Sequence, residues 1–485
     1  MIDQQQLKSE LKANFGYDHF HAGQVELIQA LLAGDNVIGV LPTGSGKSLI
    51  YQFLSLHLPG LFVIVTPLIS LMEDQANRIR MSDLGGVAVL NGQLDFQEKK
   101  YVLEGLAKTK FLFLAPETLQ QPEVIRQLQR LSVGLFIVDE AHCISSWGPD
   151  FRPDYLQLGA IRRQIKPLTS LVLTATATDR VVQDIQQSLF GQEPSYLYKD
   201  SVDRRNLYLR TEFVSNPEEK WEILTQLLAH PWPTLIYAST RKRAEELALL
   251  IAQKTKRRVA FYHAGLEDGA RLHIQQLFLH DQLDVVVATS AFGMGIDKQN
   301  LRLLIHDEMP ANFENYLQEI GRAGRDGNQA LTLIFVDVHD YSRLLKRQTS
   351  HQIRPEMVEH FFSMPRIQPQ ADLSIEQNQV LATYRRAHFP QETVIAMLKK
   401  TSKVRDDQLQ IFWDFLNSDQ CLRQQICRYF DHEDAPQPHD QLCCSNSHQS
   451  TLAEVLQWLN LPAEAVEEVA NSLATRQQAW QRLFD

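Results

Sequence analysis

The sequence predicts an α/β protein with two tandem parallel-sheet domains followed by a helical C-terminal region, and three observations carry that reading. Short, nearly continuous apolar runs recur through the first two thirds: "NVIGVL", "LFVIV", "FLFLA", "LFIV" and "LVLT", then "TLIYA", "VAFY", "DVVVAT", "LRLLIH" and "LTLIF". Segments long enough for crossover helices separate them, among them "SLIYQFLSLHL" and "STRKRAEELALLIAQK". Past about residue 345 the runs stop and helical patterns replace them.

Runs without polar alternation suit strands covered on both faces, which is the situation of a parallel sheet. Parallel neighbours in turn require crossovers, which the intervening segments supply. The two series meet near "SVDRRNLYLR", which sets the expected domains at 1–208 and 209–342. A chain of 485 residues is too long for one ordinary core. In 343–450, "EMVEHFFSM", "QNQVLATYRRA", "QETVIAMLKK" and "QLQIFWDFLNS" read as separate helices divided by Pro- and Gln-rich turns. The remaining 451–485 reads as a short tail of two helices around Leu461 and Pro462.

Composition narrows the function classes. The hydrophobic fraction of 44% and charged fraction of 22% are those of a soluble globular protein. No apolar run approaches the roughly 20 residues of a membrane span. "MIDQQQLKSE" lacks the basic start and apolar centre of a secretion signal. A cytoplasmic monomer without membrane contact is the expectation. A net charge of −10 argues against bulk electrostatic capture of nucleic acid, so phosphate binding must be local. The five cysteines are too few and too clustered for a secreted disulfide framework.

The strongest motif is "VIGVLPTGSGKSLIYQ", a strand running into a glycine-containing loop and a helix. It fits the phosphate-binding pattern G-x-x-x-x-G-K-[ST] except that Leu41 stands at the first glycine. Gly44 and Gly46 permit backbone angles that aim successive N–H groups, with those of Thr43 and Ser45, at phosphate oxygens. The helix N-terminus adds its dipole. Lys47 would reach the β- and γ-phosphates of ATP, and Ser48 would ligate magnesium. Since the inward-pointing amides follow Leu41, its substitution removes little from the cradle.

In "LFIVDEAH" a buried strand ends in Asp139 and Glu140, at the sheet edge where ligands bind in such folds. Asp139 fits the role of holding magnesium, through water, and Glu140 that of polarising the attacking water. The second series has no G-K-S, so one ATP site is expected. Its contribution would be "QEIGRAGRDG": if helical, Gln318, Arg322 and Arg325 share one face, and the arginines answer the γ-phosphate.

Together these elements resemble a superfamily 2 helicase, and several stretches resemble the RecQ family of DNA helicases. The most specific is "DEAHCISSWGPDFRPDY", an aromatic-rich loop after the carboxylates. "FGYDHFHAGQ", "VTPLISLMEDQ", "LTATAT", "YHAGL", "ATSAFGMGIDK" and "NYLQEIGRAGRDG" follow in the family's order over about residues 1–340. The resemblance implies two RecA-like domains and an ATP- and magnesium-dependent helicase acting on single-stranded and partly duplex DNA in recombination and repair, moving 3′ to 5′. It implies that Gln24 bonds adenine, with Tyr17 stacking nearby and His21 replacing the usual arginine; Phe20 is read instead as a core residue. Trp147, Phe151 and Arg152 would grip the strand, consistent with base stacking on aromatic faces. Thr174 and Thr176, with Thr178 continuing the alternation, would link nucleotide to strand. Gly293, Gly295 and Asp297 would form a coupling loop of the second domain. Pro149 and Asp297 depart from the family's usual histidine and asparagine.

RecQ proteins commonly continue into a four-cysteine zinc module and a winged helix. Here "CLRQQICRYF" resembles the start of the zinc module, with Cys421 as its first ligand. "CCSNS" resembles its end, but Ser447 replaces the last cysteine and another ligand is missing unless His432 or His439 supplies it. Since structural zinc wants four N/S ligands, no retained zinc is expected, and Cys421, Cys427 and Cys444 would pack as small apolar side chains. The tail is too short for a winged helix. An ATP-driven translocase that remodels DNA without efficient unwinding is a second reading, and a non-catalytic nucleic-acid scaffold a third.

Overall fold

A computed structural model describes residues 4–67, 69–82, 84–92, 94–145, 153–292, 298–431, 443–447 and 450–458. Trp147, Phe151 and Arg152 lie outside the described residues, as do Gly293, Gly295, Asp297, His432, His439 and everything after Trp458.

Thirteen strands form two sheets among the described residues. The first contains β1 (Val37–Val40), β2 (Leu61–Val65), β3 (Val87–Leu90), β4 (Phe111–Leu114), β5 (Val133–Val138), β6 (Thr169–Thr174) and β7 (Tyr196–Lys199). Their order is β3-β4-β2-β5-β6-β1-β7. The second contains β8 (Leu207–Phe213), β9 (Thr234–Tyr237), β10 (Val259–Tyr262), β11 (Val285–Ala288), β12 (Leu303–His306) and β13 (Ala330–Val336), ordered β10-β11-β9-β12-β13-β8. Every pairing is parallel. The central strands β1, β2, β4, β5 and β6 are buried at every residue, as continuous apolar runs require when helices cover both faces.

In each lobe two apolar layers flank the sheet. In the first, Ile38 and Val40 join one layer while Val37 and Leu41 join the other, the period-two alternation of a strand. The carboxyl ends of β1 and β5 open at one edge, so the loop after Val40 and the carboxylates after Val138 are brought there by topology.

The C-terminal region is helical, but its helices differ from the expectation. "QETVIAMLKK" and "QLQIFWDFLNS" form one 26-residue helix, Gln391–Leu416. The intervening "TSKVRDD" carries no Gly or Pro, so nothing interrupts the backbone ladder. Its first half closes a small core with Val358, Phe361, Leu381 and Tyr384, and its second half packs Leu409, Phe412 and Phe415 onto the second lobe. The next helix, Leu422–Asp431, lies at the junction between lobes. There Arg423 pairs with Asp203 at 2.5 Å, and Asp431 accepts from Ser201 Oγ at 2.9 Å.

No helix among the described residues is long and apolar enough to cross a membrane.

Candidate nucleotide site and its reach into the second lobe

The phosphate loop is shaped by two left-handed glycines, Gly44 at φ 87° and Gly46 at φ 70°, the latter capping the helix Lys47–Leu54. Leu41, in place of the pattern's glycine, is fully buried. Its N–H donates to the Thr174 carbonyl at 3.0 Å and its carbonyl accepts from Lys47 Nζ at 3.3 Å. The position thus supplies backbone groups and a core side chain, and a leucine serves both. Ser45 Oγ is buried without a hydrogen-bond partner, which leaves a hydroxyl suited to a phosphate oxygen.

Gln24 is buried beneath this loop rather than held open beside it. Its Nε2 donates to the carbonyls of Ser45 at 2.8 Å and Gly46 at 3.0 Å, and its Oε1 accepts from the His21 N–H at 3.0 Å. A Cβ at Gly46 would lie 2.8 Å from that Nε2, so glycine, needed for φ, also leaves the Gln24 amide in place. In this conformation Gln24 braces the phosphate loop, a role the base-contact expectation omitted. Tyr17 remains 57% exposed, with its ring available to a flat ligand. Phe20 packs edge-on against Phe53 at 5.3 Å, as expected of a core residue.

Strand β5 delivers the carboxylates. The Asp139 N–H continues the ladder to the Val65 carbonyl at 2.9 Å. The Asp139 carboxylate accepts from the Glu140 N–H at 3.0 Å and from Gln75 Nε2 at 3.5 Å. Burial first, and then the neighbouring Glu140 charge, push Asp139 up to about 6, while Lys47 opposes the shift. Glu140 itself sits at φ 50°, a left-handed conformation that costs a side-chain-bearing residue about 1–3 kcal/mol. Its Oε2 is buried and unsatisfied. One buried carboxylate raised toward neutrality and another with an orphaned oxygen form a donor set that fits a divalent cation. Ser48, in the first turn of the loop's helix, would complete it.

His142, absent from the sequence-based site, occupies its centre. Its Nδ1 lies 3.0 Å from Thr174 Oγ1 and 3.3 Å from Glu140 Oε2, the latter outside hydrogen-bond geometry. The Thr174 hydroxyl donates to the Thr176 carbonyl at 3.2 Å, so it accepts from His142, placing the imidazole proton on Nδ1. Burial and then Lys47 hold His142 down to about 4, so the ring is neutral near pH 7. The fourth letter of D-E-A-H was the available signal. Thr178, by contrast, caps the helix Asp179–Ile185 by accepting from the Val181 N–H at 3.4 Å.

The second lobe answers across the junction. Gln318, on the helix Phe313–Ile320, lines a cavity of about 220 Å³ with His142 and Thr176. The expectation that Gln318, Arg322 and Arg325 share one helical face is corrected. The helix stops at Gly321 and residues 321–326 are turns, with Gly324 left-handed at φ 55°. The break lets the arginines point differently. Arg325 lies over the phosphate loop, where a Cβ at Gly44 would meet its Cγ at 3.3 Å and Cδ at 3.4 Å. Arg322 is buried beside the Tyr237 phenol, which burial pushes up and Arg322 draws back. Gly321 packs against the loop too, its would-be Cβ 3.0 Å from that of Thr43. The interlobe segment holds these turns in place: Arg204 Nη2 donates to the Gly324 carbonyl at 2.9 Å and Asn206 Nδ2 at 2.8 Å.

Away from the cleft, three thiols converge. Cys421 Sγ lies 3.5 Å from Cys443 Sγ and 3.6 Å from Cys444 Sγ, and Ser447 Oγ lies 3.1 Å from Cys444 Sγ. Cys421 and Cys444 therefore share one cluster, instead of packing singly, while Cys427 is buried elsewhere in the same apolar layer. Against a closed zinc site the described set falls one N/S donor short, with a hydroxyl in the fourth place.

The sequence matches the DEAD/DEAH box helicase family over residues 21–185 and the helicase conserved C-terminal domain over 219–327. It is 38% identical over 457 residues to the probable ATP-dependent DNA helicase RecS of Bacillus subtilis, covering 91% of each chain. To the ATP-dependent DNA helicase RecQ of the same organism it is 38% identical over 71% of this chain and 59% of that one. Among solved structures, the helicase MrfA bound to DNA and AMPPNP superposes with a TM-score of 0.59 at 18% identity, over 82% of this chain and 56% of that one. Helicase Lhr of Mycobacterium smegmatis, bound to ssDNA and AMP-PNP, gives 0.56 at 17% identity, over 84% and 57%. These structural likenesses speak for the fold of two RecA-like lobes, and the sequence relationships for the lineage: the chain belongs to the RecQ/RecS family of superfamily 2 ATP-dependent DNA helicases.

Proposed function

We propose that the chain is an ATP- and magnesium-dependent motor that moves 3′ to 5′ along single-stranded DNA and separates duplex ahead of it, in recombination and repair. The observation that carries this reading is the approach of Arg325 to Gly44, because it joins the phosphate loop of one lobe to the guanidinium of the other.

The loop amides around Thr43, Gly44, Ser45 and Gly46 bind phosphate oxygens, and Lys47 neutralises their charge. Asp139 and Ser48 would hold magnesium, which supplies charge neutralisation on the phosphates when bound. Glu140, fixed in its strained conformation, orients the attacking water and accepts its proton. Arg325 and Arg322 stabilise the charge that develops on the γ-phosphate, a contribution of about 10³ to 10⁵ in rate in related chemistry. His142 lies in contact with Glu140 on one side and hydrogen-bonds Thr174 on the other, and the Thr174 hydroxyl bonds the Thr176 carbonyl, so a chain of contacts leads from the carboxylate toward the cavity that Gln318 lines. Trp147, Phe151 and Arg152 belong to this reading as strand contacts, and Tyr17 and His21 as base contacts. Opening a base pair costs about 1.4 kcal/mol per step, more than twice RT, so directional opening requires this coupling.

The test is turnover with and without a single strand, then strand displacement on 3′-tailed against 5′-tailed duplexes. DNA-stimulated hydrolysis with displacement only from the 3′ tail supports the reading. Stimulated hydrolysis without displacement supports the translocase instead, and an absence of hydrolysis supports the scaffold. Lys47→Ala should abolish turnover and leave DNA binding measurable.

A further inference from the structure

The helical region holds a second cavity, of about 490 Å³, between the helices Asp340–Ser350, Ile375–Arg386 and Gln391–Leu416. Four cations line it, Arg354, Lys399, Lys403 and Arg405, against two acids, Glu376 and Asp406. Glu376 is engaged by the Ser374 hydroxyl at 2.9 Å at the start of its helix. A local excess of positive charge in a chain of net charge −10 marks a place where polyanion binding is concentrated.

Position adds to charge. Gln348 and Arg405 line this groove and also the 220 Å³ cavity containing His142, Thr176 and Gln318, so the two adjoin across these side chains. The cavity side adds the amides Asn312, Asn315 and Gln408 and one carboxylate, Glu314, which accepts from the Tyr429 hydroxyl at 3.1 Å and which burial pushes toward neutrality. The side-chain carbonyl of Gln348 is buried there without a partner. At the other end, the helix Ile375–Arg386 packs against the segment Pro153–Gln157, which directly follows the aromatic loop. Arg347, on the helix Asp340–Ser350, reaches Ser239 at 3.4 Å and Glu308 at 3.7 Å in the second lobe. The helical region thus touches both lobes. Its own core of Val358, Phe361, Leu381, Tyr384 and Val394 accounts for its folding without the cations, and Arg354, Lys399 and Lys403 are exposed.

We propose that this groove is a phosphodiester-binding extension of the strand path, in which Arg354, Lys399 and Lys403 hold the backbone of single-stranded DNA leaving the interlobe cleft. The proposal rests on the motor reading above and gives the helical region a role within it. A strand laid along the exposed rim of this groove meets the cations with its phosphates and turns its bases toward the amides.

The experiment compares the full chain with the triple variant Arg354→Gln, Lys399→Gln, Lys403→Gln, measuring affinity for short and long oligothymidylates as a function of salt, together with turnover. Each phosphate contact on a single strand contributes about 0.7 to the log–log salt slope, so the variant should lose about 2. Affinity for long oligonucleotides should fall about tenfold at physiological salt, with short ones and DNA-free turnover unchanged. The charge-keeping variant Lys399→Arg, Lys403→Arg should retain wild-type affinity. Equal slopes and affinities at every length, with DNA-stimulated turnover intact, would overturn the groove and leave the motor reading standing. A wild-type chain without DNA-stimulated turnover would remove the motor reading and this proposal with it. Weakened binding of polyglutamate with DNA affinity unchanged would assign the groove to an acidic protein segment and equally overturn the proposal.

Discussion

Arg325 lies against Gly44, its Cγ 3.3 Å from where a Cβ on that glycine would stand, so the second lobe already touches the phosphate loop of the first. The contact exists because Gly321 ends a helix, Gly324 turns left-handed, and Arg204 and Asn206 fasten the turn from the interlobe segment. A residue contributed from across the junction answers the nucleotide only when the lobes are together, which is the physical basis for linking hydrolysis to lobe movement.

Gly44→Ala places a Cβ at φ 87° and against the Arg325 stem at once. Backbone strain of about 1–3 kcal/mol and a displaced guanidinium should lower DNA-stimulated kcat by about 10²-fold or more. Steady-state turnover checks this; a rate within threefold of wild type would mean the contact is incidental.

Magnesium should stabilise the protein in a pH-dependent way. Asp139 is raised to about 6 in the folded chain from an ordinary 3.8, so the native state holds the proton more tightly than the unfolded one. That favourable contribution is complete below the unfolded value and is lost as pH rises through about 6. At neutral pH the ionised pair of Asp139 and Glu140 lacks compensation that a divalent cation supplies. Magnesium should therefore raise Tm by about 2–4 °C near pH 7.5 and by less than about 1 °C near pH 5.5. In Asp139→Asn the gain should be absent at both. An equal gain at both pH values would contradict the assignment.

His142→Ala removes the only described side chain that spans Glu140 and Thr174. Basal hydrolysis should fall no more than about fivefold, while stimulation by single-stranded DNA should largely vanish. With the imidazole held down to about 4, the wild-type rate should show no step near pH 6.5 arising from this residue. A preserved ratio of stimulated to basal rates in the variant would remove the coupling role of this chain of contacts.

Arg423→Ala leaves the buried Asp203 carboxylate to the largely exposed Arg205, at 3.6 Å, and deletes donors to the carbonyls of Arg204 at 2.9 Å and Leu207 at 2.5 Å. Loss of one partner of a buried pair costs about 3–5 kcal/mol. Because Arg204 also fastens the Gly324 turn, kcat should drop along with Tm while nucleotide affinity changes little. Thermal unfolding and equilibrium nucleotide binding would show it; unchanged Tm would mean that the helix Leu422–Asp431 does not clamp the lobes.

The central strands were legible because their runs are nearly continuously apolar, and so was the phosphate loop, whose glycines and lysine fall within four residues. β7 was missed because "YLYK" is an exposed edge, and β8 because "LYLRTEF" mixes apolar and charged residues in a half-buried strand. β3 was missed as a four-residue strand at the opposite edge. The arginines were found by their type, but their shared helical face was an assumption of regular geometry that Gly321 and Gly324 break. Gln24 beneath the loop and His142 between Glu140 and Thr174 are juxtapositions of distant segments, which no local spacing encodes. The clustering of Cys421 with Cys443 and Cys444 likewise depends on how the chain returns after the helix Leu422–Asp431.

The most direct test of a shared site is single-turnover hydrolysis by Arg325→Ala with saturating DNA, alongside its affinity for ATP. The account predicts nucleotide affinity within about threefold of wild type and a chemical step slowed by about 10³-fold or more. A chemical step of undiminished rate would contradict it, because hydrolysis would then be the work of the first lobe alone.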